Sequence, residues 1–226
     1  MSVSDKAISL NYNVQLAAAK EAIHTTLASC RNPILTTKFT EDSAVLLHLV
    51  TQICPQIPVL WIDTGYNTRA TLAYSKQLCA RLQLSLHTYH PDNHTIIIPP
   101  ELNSPAHSEF VSEVKLEPFG RALSELRPDA WLSSIRRYQS PHRSTLSVFD
   151  VVKGSILKVS PLLEWPQQSM DRYLQENDLP SGPSCFDPTK GEPFRECGLH
   201  VDVDVDFKDS YSTHGNSEHH QLASTH

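Results

Sequence analysis

Short apolar runs alternate with longer segments of helical spacing, and this alternation restricts the fold more than any other feature of the sequence. Residues 58–62 form a continuous apolar run of strand length, and residues 67–82 carry apolar side chains at helical spacing. Further strand candidates lie at 33–37, 85–89, 130–134 and 156–159. Buried parallel strands joined by crossover helices produce this pattern. We therefore predict an α/β fold, a single doubly wound and mostly parallel sheet with helices on both faces.

The remaining segments predict the helices that cover the sheet and a separate C-terminal part. Thr40 is an eligible N-cap for a helix that runs to about Ile53, and Ser169 is an eligible N-cap for a short last helix. We predict an α/β domain over residues 1–180 and a C-terminal segment over 181–226 that ends in a mobile polar tail. Two further helices are predicted at 14–28 and 111–126.

Composition excludes several classes of protein. No apolar run approaches the roughly 20 residues of a spanning helix, and the N-terminus has no secretion signal, so we expect a cytoplasmic protein away from membranes. The net charge of −6 argues against a nucleic-acid partner, although a local basic cluster can still hold one small anion. The five cysteines are odd in number and irregular in spacing, which favours free thiols over a disulfide framework.

A polar loop follows the first predicted strand. Thr36, Thr37, Lys38 and Thr40 supply donors where a helix is expected to begin, and a helix N-terminus attracts anions such as phosphate. In isolation, an ordinary turn capped by threonine explains this loop as well.

A basic cluster follows the fourth predicted strand. Arg136, Arg137 and Arg143 lie within eight residues, together with Gln139. The planar fork of arginine suits phosphate or sulfate, because it donates two parallel hydrogen bonds. A solvated basic loop is the alternative interpretation.

Cys197 stands in a Glu-Cys-Gly-Leu-His pentapeptide near the C-terminus. A cysteine attacks as thiolate, and an ordinary thiol with a pKa of about 8.5 needs nearby positive charge to ionise at neutral pH. Arg195, His200 or the basic cluster are candidates for that charge, whereas Glu196 opposes ionisation. Cys185 leaves a disulfide with Cys197, or a metal site with His200, as open alternatives. Cys30, Cys54 and Cys79 lie among apolar residues and are predicted to be packing residues.

These residues together resemble the family of phosphoadenylyl-sulfate (PAPS) and adenylyl-sulfate (APS) reductases. The pentapeptide 196–200 is intact, and ordered similarities span roughly 33–200. Further matching segments are Thr36-Thr37-Lys38-Phe39, 58–66 with its Asp-Thr-Gly-Tyr, Arg136-Arg137-Tyr138-Gln139-Ser140 with Arg143, and 157–165.

The resemblance implies a thioredoxin-dependent reductase of sulfate assimilation, with Cys197 as its catalytic residue. Cys197 is expected to attack the sulfur of the bound sulfonucleotide, and thioredoxin or glutaredoxin is expected to release sulfite from the sulfonated cysteine. A homodimer is left open, because the family is often dimeric. The expected substrate-binding residues are Thr36, Thr37, Lys38, Phe39, Asp63, Thr64, Gly65, Tyr66, Arg136, Arg137, Gln139, Ser140, Arg143, Lys158 and His200.

The cysteine pattern also bears on the substrate. Iron–sulfur members of the family carry a Cys-Cys pair and a later Cys-x-x-Cys, and this chain has neither, so we expect no cluster, no bound cofactor and PAPS as substrate. Thr40 replaces an expected glycine, and the segment 179–195 before the pentapeptide is short. The alternatives are an APS-directed reductase and a non-catalytic protein that binds adenine nucleotides.

Overall fold

The computed structural model describes residues 3–92, 98–101, 104–152 and 156–183, with side chains from residue 11 onward. Its centre is a six-stranded sheet. The strands are β1 (Pro33–Thr37), β2 (Pro58–Ile62), β3 (Ser85–Tyr89), β4 (Ala130–Leu132), β5 (Phe149–Val152) and β6 (Ile156–Val159). Their order in the sheet is β3-β2-β1-β4-β6-β5. All neighbouring strands are parallel except β5 and β6, which are antiparallel.

Helices cover both faces of this sheet. They are α1 (Val3–Ser29), α2 (Ser43–Thr51), α3 (Arg69–Leu82), α4 (Pro105–Val111), α5 (Glu117–Leu126) and α6 (Gln167–Glu176). One face of the sheet packs into a core around α2, which is buried at every residue except His48. The other face packs against α5 through Phe119 and Ala122. None of these described helices combines the length and apolar character that crossing a membrane requires.

The predicted fold class is confirmed, and so are the strands at 33–37, 58–62, 85–89 and 156–159. The sequence analysis does not identify the antiparallel edge strand β5, because its sequence, Phe-Asp-Val-Val, is only four residues long and includes a charged residue. The helix predicted at 111–126 begins earlier and is divided by a π-helical turn at Ser112–Leu116. Pro118 lies in the first turn of α5, and its missing N–H accounts for this interruption.

Two predicted helix caps are wrong. The residue before α2 is Asp42 rather than Thr40, because Asp42 turns toward a buried arginine and the helix begins only at Ser43. Ser169 lies inside α6, which starts after Pro166, and its hydroxyl donates to Gln15 Oε1 at 2.7 Å. The side chains of Asp42 and Ser169 are therefore engaged in tertiary contacts.

Candidate active site

The order of the strands places a crevice between β1 and β4. From β1 the chain proceeds outward through β2 and β3, and it then returns to the other side of β1 with β4. The loops after β1 and β4 therefore leave in opposite directions at the carboxyl edge of two neighbouring parallel strands. Ligands of open α/β sheets bind at such a switch point. The two polar clusters predicted from the sequence, at 36–40 and 136–143, flank this crevice.

The loop after β1 is tightly folded by its own hydrogen bonds. The Phe39 N–H donates to Thr37 Oγ1 at 3.2 Å, and the Thr40 N–H donates to Ser43 Oγ at 2.9 Å. Phe39 has a φ of 53°, a left-handed conformation that is an outlier for a bulky residue. Its ring is fully buried and packs edge-on against Trp61 with centroids 5.0 Å apart, which holds this conformation in place.

This geometry changes what the loop offers to a ligand. The side chain of Phe39 is closed to solvent, so its ring is not available to a ligand in this conformation. Lys38 is exposed beside it. Burial and then the neighbouring Asp42 raise the pKa of Glu41, the carboxyl that lies next to the predicted anion site.

A buried ion pair joins the two loops of the crevice. The Arg136 guanidinium donates to Asp42 Oδ2, and both side chains are nearly buried. Gln167 completes the network: its Oε1 accepts from Arg136 at 2.9 Å and its Nε2 donates to Asp42 Oδ1 at 3.3 Å. Arg136 Nε is buried and has no hydrogen-bond partner among the described residues. Arg136 thus serves to join the loops, which the sequence did not predict.

The remaining basic residues form two short 3₁₀ turns, Arg137–Gln139 and His142–Thr145. Gln139 Oε1 accepts from the Arg136 N–H at 3.0 Å and from the Arg143 guanidinium. Ser140 Oγ accepts from the Arg143 N–H at 3.3 Å. Arg137 is more exposed and pairs with Glu164. Arg143 and Gln139 are therefore fixed relative to the crevice, whereas Arg137 is held at its rim.

Thr36 and Lys158 both contact Trp131, in the interior of the sheet. The Trp131 indole N–H donates to Thr36 Oγ1 at 2.7 Å. Lys158 Nζ lies 5.0 Å from the centre of the Trp131 ring, a cation–π distance. Both residues were predicted to bind substrate, and the structure gives each of them a contact within the sheet.

The segment after β2 forms a compact turn one strand away from the crevice. Asp63 Oδ1 accepts from the Gly65 N–H at 3.1 Å and from Asn67 Nδ2 at 2.7 Å. Gly65 has a φ of 80°, which glycine adopts readily. Thr64 Oγ1 accepts from the Tyr66 N–H at 3.3 Å, and the Tyr66 ring packs edge-on against Phe110 with centroids 5.2 Å apart. These four predicted residues thus lie together at the carboxyl end of β2.

The predicted catalytic residue lies outside the described residues. Cys197, His200 and Cys185 all follow residue 183, the last that is described. Within the described ranges, no group of three or more His, Cys, Asp or Glu side chains is arranged to hold a metal ion. Cys54 and Cys79 pack against the core as predicted, and burial raises the pKa of the Cys79 thiol.

Comparison with known proteins identifies the family. Residues 32–183 match the phosphoadenosine phosphosulfate reductase domain. A Synechococcus protein named phosphoadenosine 5′-phosphosulfate reductase is 37% identical over 157 residues, covering 66% of this chain and 67% of its own length. A protein of the same name from Photobacterium profundum is 33% identical over 186 residues, covering 77% of this chain and 71% of its own length.

Solved structures bear on the fold. The PAPS reductase of Candida auris, solved as a phosphate complex, superposes with a TM-score of 0.64 at 24% identity and covers 80% of this chain and 91% of its own. The FMN adenylyltransferase of Candida glabrata, solved with ATP, superposes with a TM-score of 0.58 at 16% identity and covers 76% of this chain and 57% of its own. At these identities the two likenesses concern the fold alone. The family match over 32–183 and the named relatives confirm the predicted family and reductase class. The chain therefore belongs to the phosphoadenosine phosphosulfate reductase family.

Proposed function

We propose that this chain reduces PAPS to sulfite and adenosine 3′,5′-bisphosphate, with Cys197 as the nucleophile and thioredoxin as the electron donor. The observation that carries the proposal is the family match over residues 32–183. The intact pentapeptide 196–200 supplies a cysteine beyond the matched region. A cytosolic location and the absence of an iron–sulfur cluster belong to the same proposal.

The geometry of the crevice supports this activity. The Asp42–Arg136 pair holds the loop after β1 beside the basic loop after β4. An anion at this switch point meets Lys38 on one side and Arg143 on the other, with Arg137 at the rim. Positive charge on both sides suits a phosphosulfate, whose phosphate and sulfate are linked by one bridging oxygen.

The first chemical step transfers the sulfonate group. The Cys197 thiolate attacks the sulfur atom, the bond from sulfur to the bridging oxygen breaks, and adenosine 3′,5′-bisphosphate leaves with the electron pair. Negative charge develops on the departing phosphate oxygen. Lys38, Arg137 and Arg143 stabilise that charge, and the same cations favour ionisation of the cysteine.

The second step regenerates the cysteine. One thiolate of reduced thioredoxin attacks Sγ of the sulfonated Cys197, and sulfite leaves with the electrons of the broken sulfur–sulfur bond. The second thioredoxin thiol then resolves the mixed disulfide and releases Cys197 as thiolate. Two electrons pass from one dithiol to one sulfonate, so the enzyme itself returns to its starting state.

A direct assay distinguishes this proposal from its alternatives. Sulfite release is measured from PAPS and from APS with reduced thioredoxin, for the wild type and for Cys197→Ser. We expect turnover of PAPS that the serine variant abolishes. Preference for APS would identify an APS-directed reductase. Binding of adenosine 3′,5′-bisphosphate without sulfite release from either substrate would identify a non-catalytic protein.

A further inference from the structure

The chain crosses the loop after β1 immediately before the part of the sequence that carries Cys197. After α6, Asp178 turns the backbone with a φ of 50°, and Leu179 is buried. The Tyr74 hydroxyl donates to the Pro180 carbonyl at 3.0 Å. The Glu41 N–H donates to the Pro183 carbonyl at 3.0 Å. Residues 179–183, which we call the strap, are thus attached both to α3 and to the start of α2.

Gly182 packs tightly against this loop and against Tyr74. A methyl group added at Gly182 would lie 2.6 Å from Tyr74 Cε1 and 2.8 Å from both Glu41 N and Thr40 C. Two of these three atoms belong to the backbone of a loop fixed by its own hydrogen bonds. Neither can move without disturbing that loop, so any larger residue must lift the strap.

We propose that the strap fixes, at the loop after β1, the point from which the chain continues toward Cys197, and that Gly182 is the positioning residue of this contact. The inference rests on the proposed function, because it concerns the delivery of Cys197 to the sulfonucleotide. Attack requires the thiolate within about 3–3.5 Å of the sulfur and in line with the leaving oxygen. An anchor on the loop that borders the crevice meets that need better than one at the end of α6.

The strap also shortens the tether between the folded domain and the nucleophile. Cys197 follows Pro183 by 14 residues and Glu176, the end of α6, by 21. Effective concentration falls roughly as the −3/2 power of tether length, so loss of the anchor alone lowers the rate about twofold. Misplacement by about 1 Å costs as much as a hundredfold. A decrease larger than twofold therefore indicates that the strap orients the cysteine as well as holding it.

The test compares Gly182→Ala and Gly182→Val with Gln175→Ala, an exposed position on α6. For Gly182→Ala we expect kcat with PAPS and thioredoxin to fall about tenfold, with more for valine, while KM stays within about twofold of the wild type. The melting temperature and the affinity for adenosine 3′,5′-bisphosphate are also expected to stay near the wild-type values. Gln175→Ala is expected to match the wild type in all four measurements. The proposal would be overturned if kcat of Gly182→Ala fell by twofold or less. It would also be overturned if the fall in kcat came with a comparable loss of affinity for adenosine 3′,5′-bisphosphate and a lower melting temperature.

Amide hydrogen exchange separates this inference from the proposed function. The Glu41 N–H is protected by the Pro183 carbonyl, so Gly182→Ala is expected to speed its exchange at least tenfold while amides in the middle of α2 stay unchanged. Unchanged exchange of the Glu41 N–H in Gly182→Ala would overturn the proposed role of the strap, even if the wild type is an active reductase. If the wild type releases no sulfite but Gly182→Ala still speeds exchange at Glu41, the strap contact is retained and the reductase activity is rejected.

Discussion

Arg136 and Asp42 form a buried ion pair that connects the two loops of the crevice, across 94 positions of the sequence. Removing one partner of such a pair leaves the other charge buried without compensation, at a cost of about 3–5 kcal/mol. We therefore expect Asp42→Ala to lower the free energy of unfolding by about 3–5 kcal/mol in urea denaturation. Glu164→Gln, which breaks the exposed Arg137–Glu164 pair, should cost at most about 1 kcal/mol.

A double variant tests whether the charge itself is responsible. Asp42→Leu combined with Arg136→Met removes both charges and fills the space with apolar atoms, so it should be less destabilising than Asp42→Ala. An Asp42→Ala protein as stable as the Glu164→Gln control would contradict the buried pair.

The hydrogen bond from Trp131 to Thr36 predicts an energetic coupling between these two residues. Thr36→Val keeps the shape of the side chain but leaves a nearly buried indole N–H without its acceptor, which costs about 1–3 kcal/mol. Trp131→Phe removes the donor, so the double variant should be more stable than the sum of the single losses predicts, by about 1 kcal/mol. Denaturant unfolding of the four proteins measures this coupling. Additive losses would show that the bond contributes nothing specific.

Because of His48, we expect the folded protein to lose stability in mild acid. Burial, and then the positive charge of Arg81, lower the pKa of His48 below its usual value, and its Nδ1 lies 2.9 Å from the Tyr173 hydroxyl. Below about pH 6.5, His48 is protonated in the unfolded chain more readily than in the folded protein. The free energy of unfolding therefore falls as pH is lowered.

Unfolding at about pH 7.5 and about pH 5 measures this effect. His48→Gln should lose less stability between these two values than the wild type does. His24→Gln, at an exposed position of α1, should keep the wild-type dependence. Equal pH dependence in the His48 variant and the wild type would contradict the prediction.

We expect the guanidinium group of Arg143, and not only its positive charge, to be required for binding PAPS. Gln139 and Ser140 fix its position beside the crevice, and a lysine there retains the charge but loses the planar fork. If Arg143 binds the phosphosulfate, Arg143→Lys should raise KM for PAPS about tenfold, as expected for a hydrogen bond to a charged group. Arg31→Lys at an exposed position serves as the control. Equal KM values in the two variants would exclude Arg143 from the substrate site.

The parallel core of the fold is predictable because its signals are local. Strands such as β2 and β3 are bounded by turn residues and match their predicted ranges. The edge strand β5 depends on pairing with β6 and has no comparable local pattern. The start of α2 was misplaced for a similar reason, because a distant arginine determines how Asp42 turns.

The candidate site was only partly predictable from the sequence. Residues with affinity for anions, such as Lys38 and Arg143, can be recognised by their charge and by their position after a predicted strand. The roles of Gln167, Tyr74 and Gly182 arise from contacts between residues about 30 to 140 positions apart, and no local spacing indicates them. Phe39 shows the converse, since its match to the family motif did not reveal that its ring is buried.

The central claim is that Cys197 takes the sulfonate from PAPS, and a single turnover without thioredoxin tests it most directly. Wild-type protein is mixed with equimolar PAPS, and the products are followed by peptide mass spectrometry and nucleotide chromatography. We predict one sulfonated cysteine per chain, located at Cys197, and an equal amount of adenosine 3′,5′-bisphosphate, with no free sulfite until reduced thioredoxin is added. Release of the bisphosphate with Cys197 unmodified, or sulfonation at another cysteine, would contradict the account.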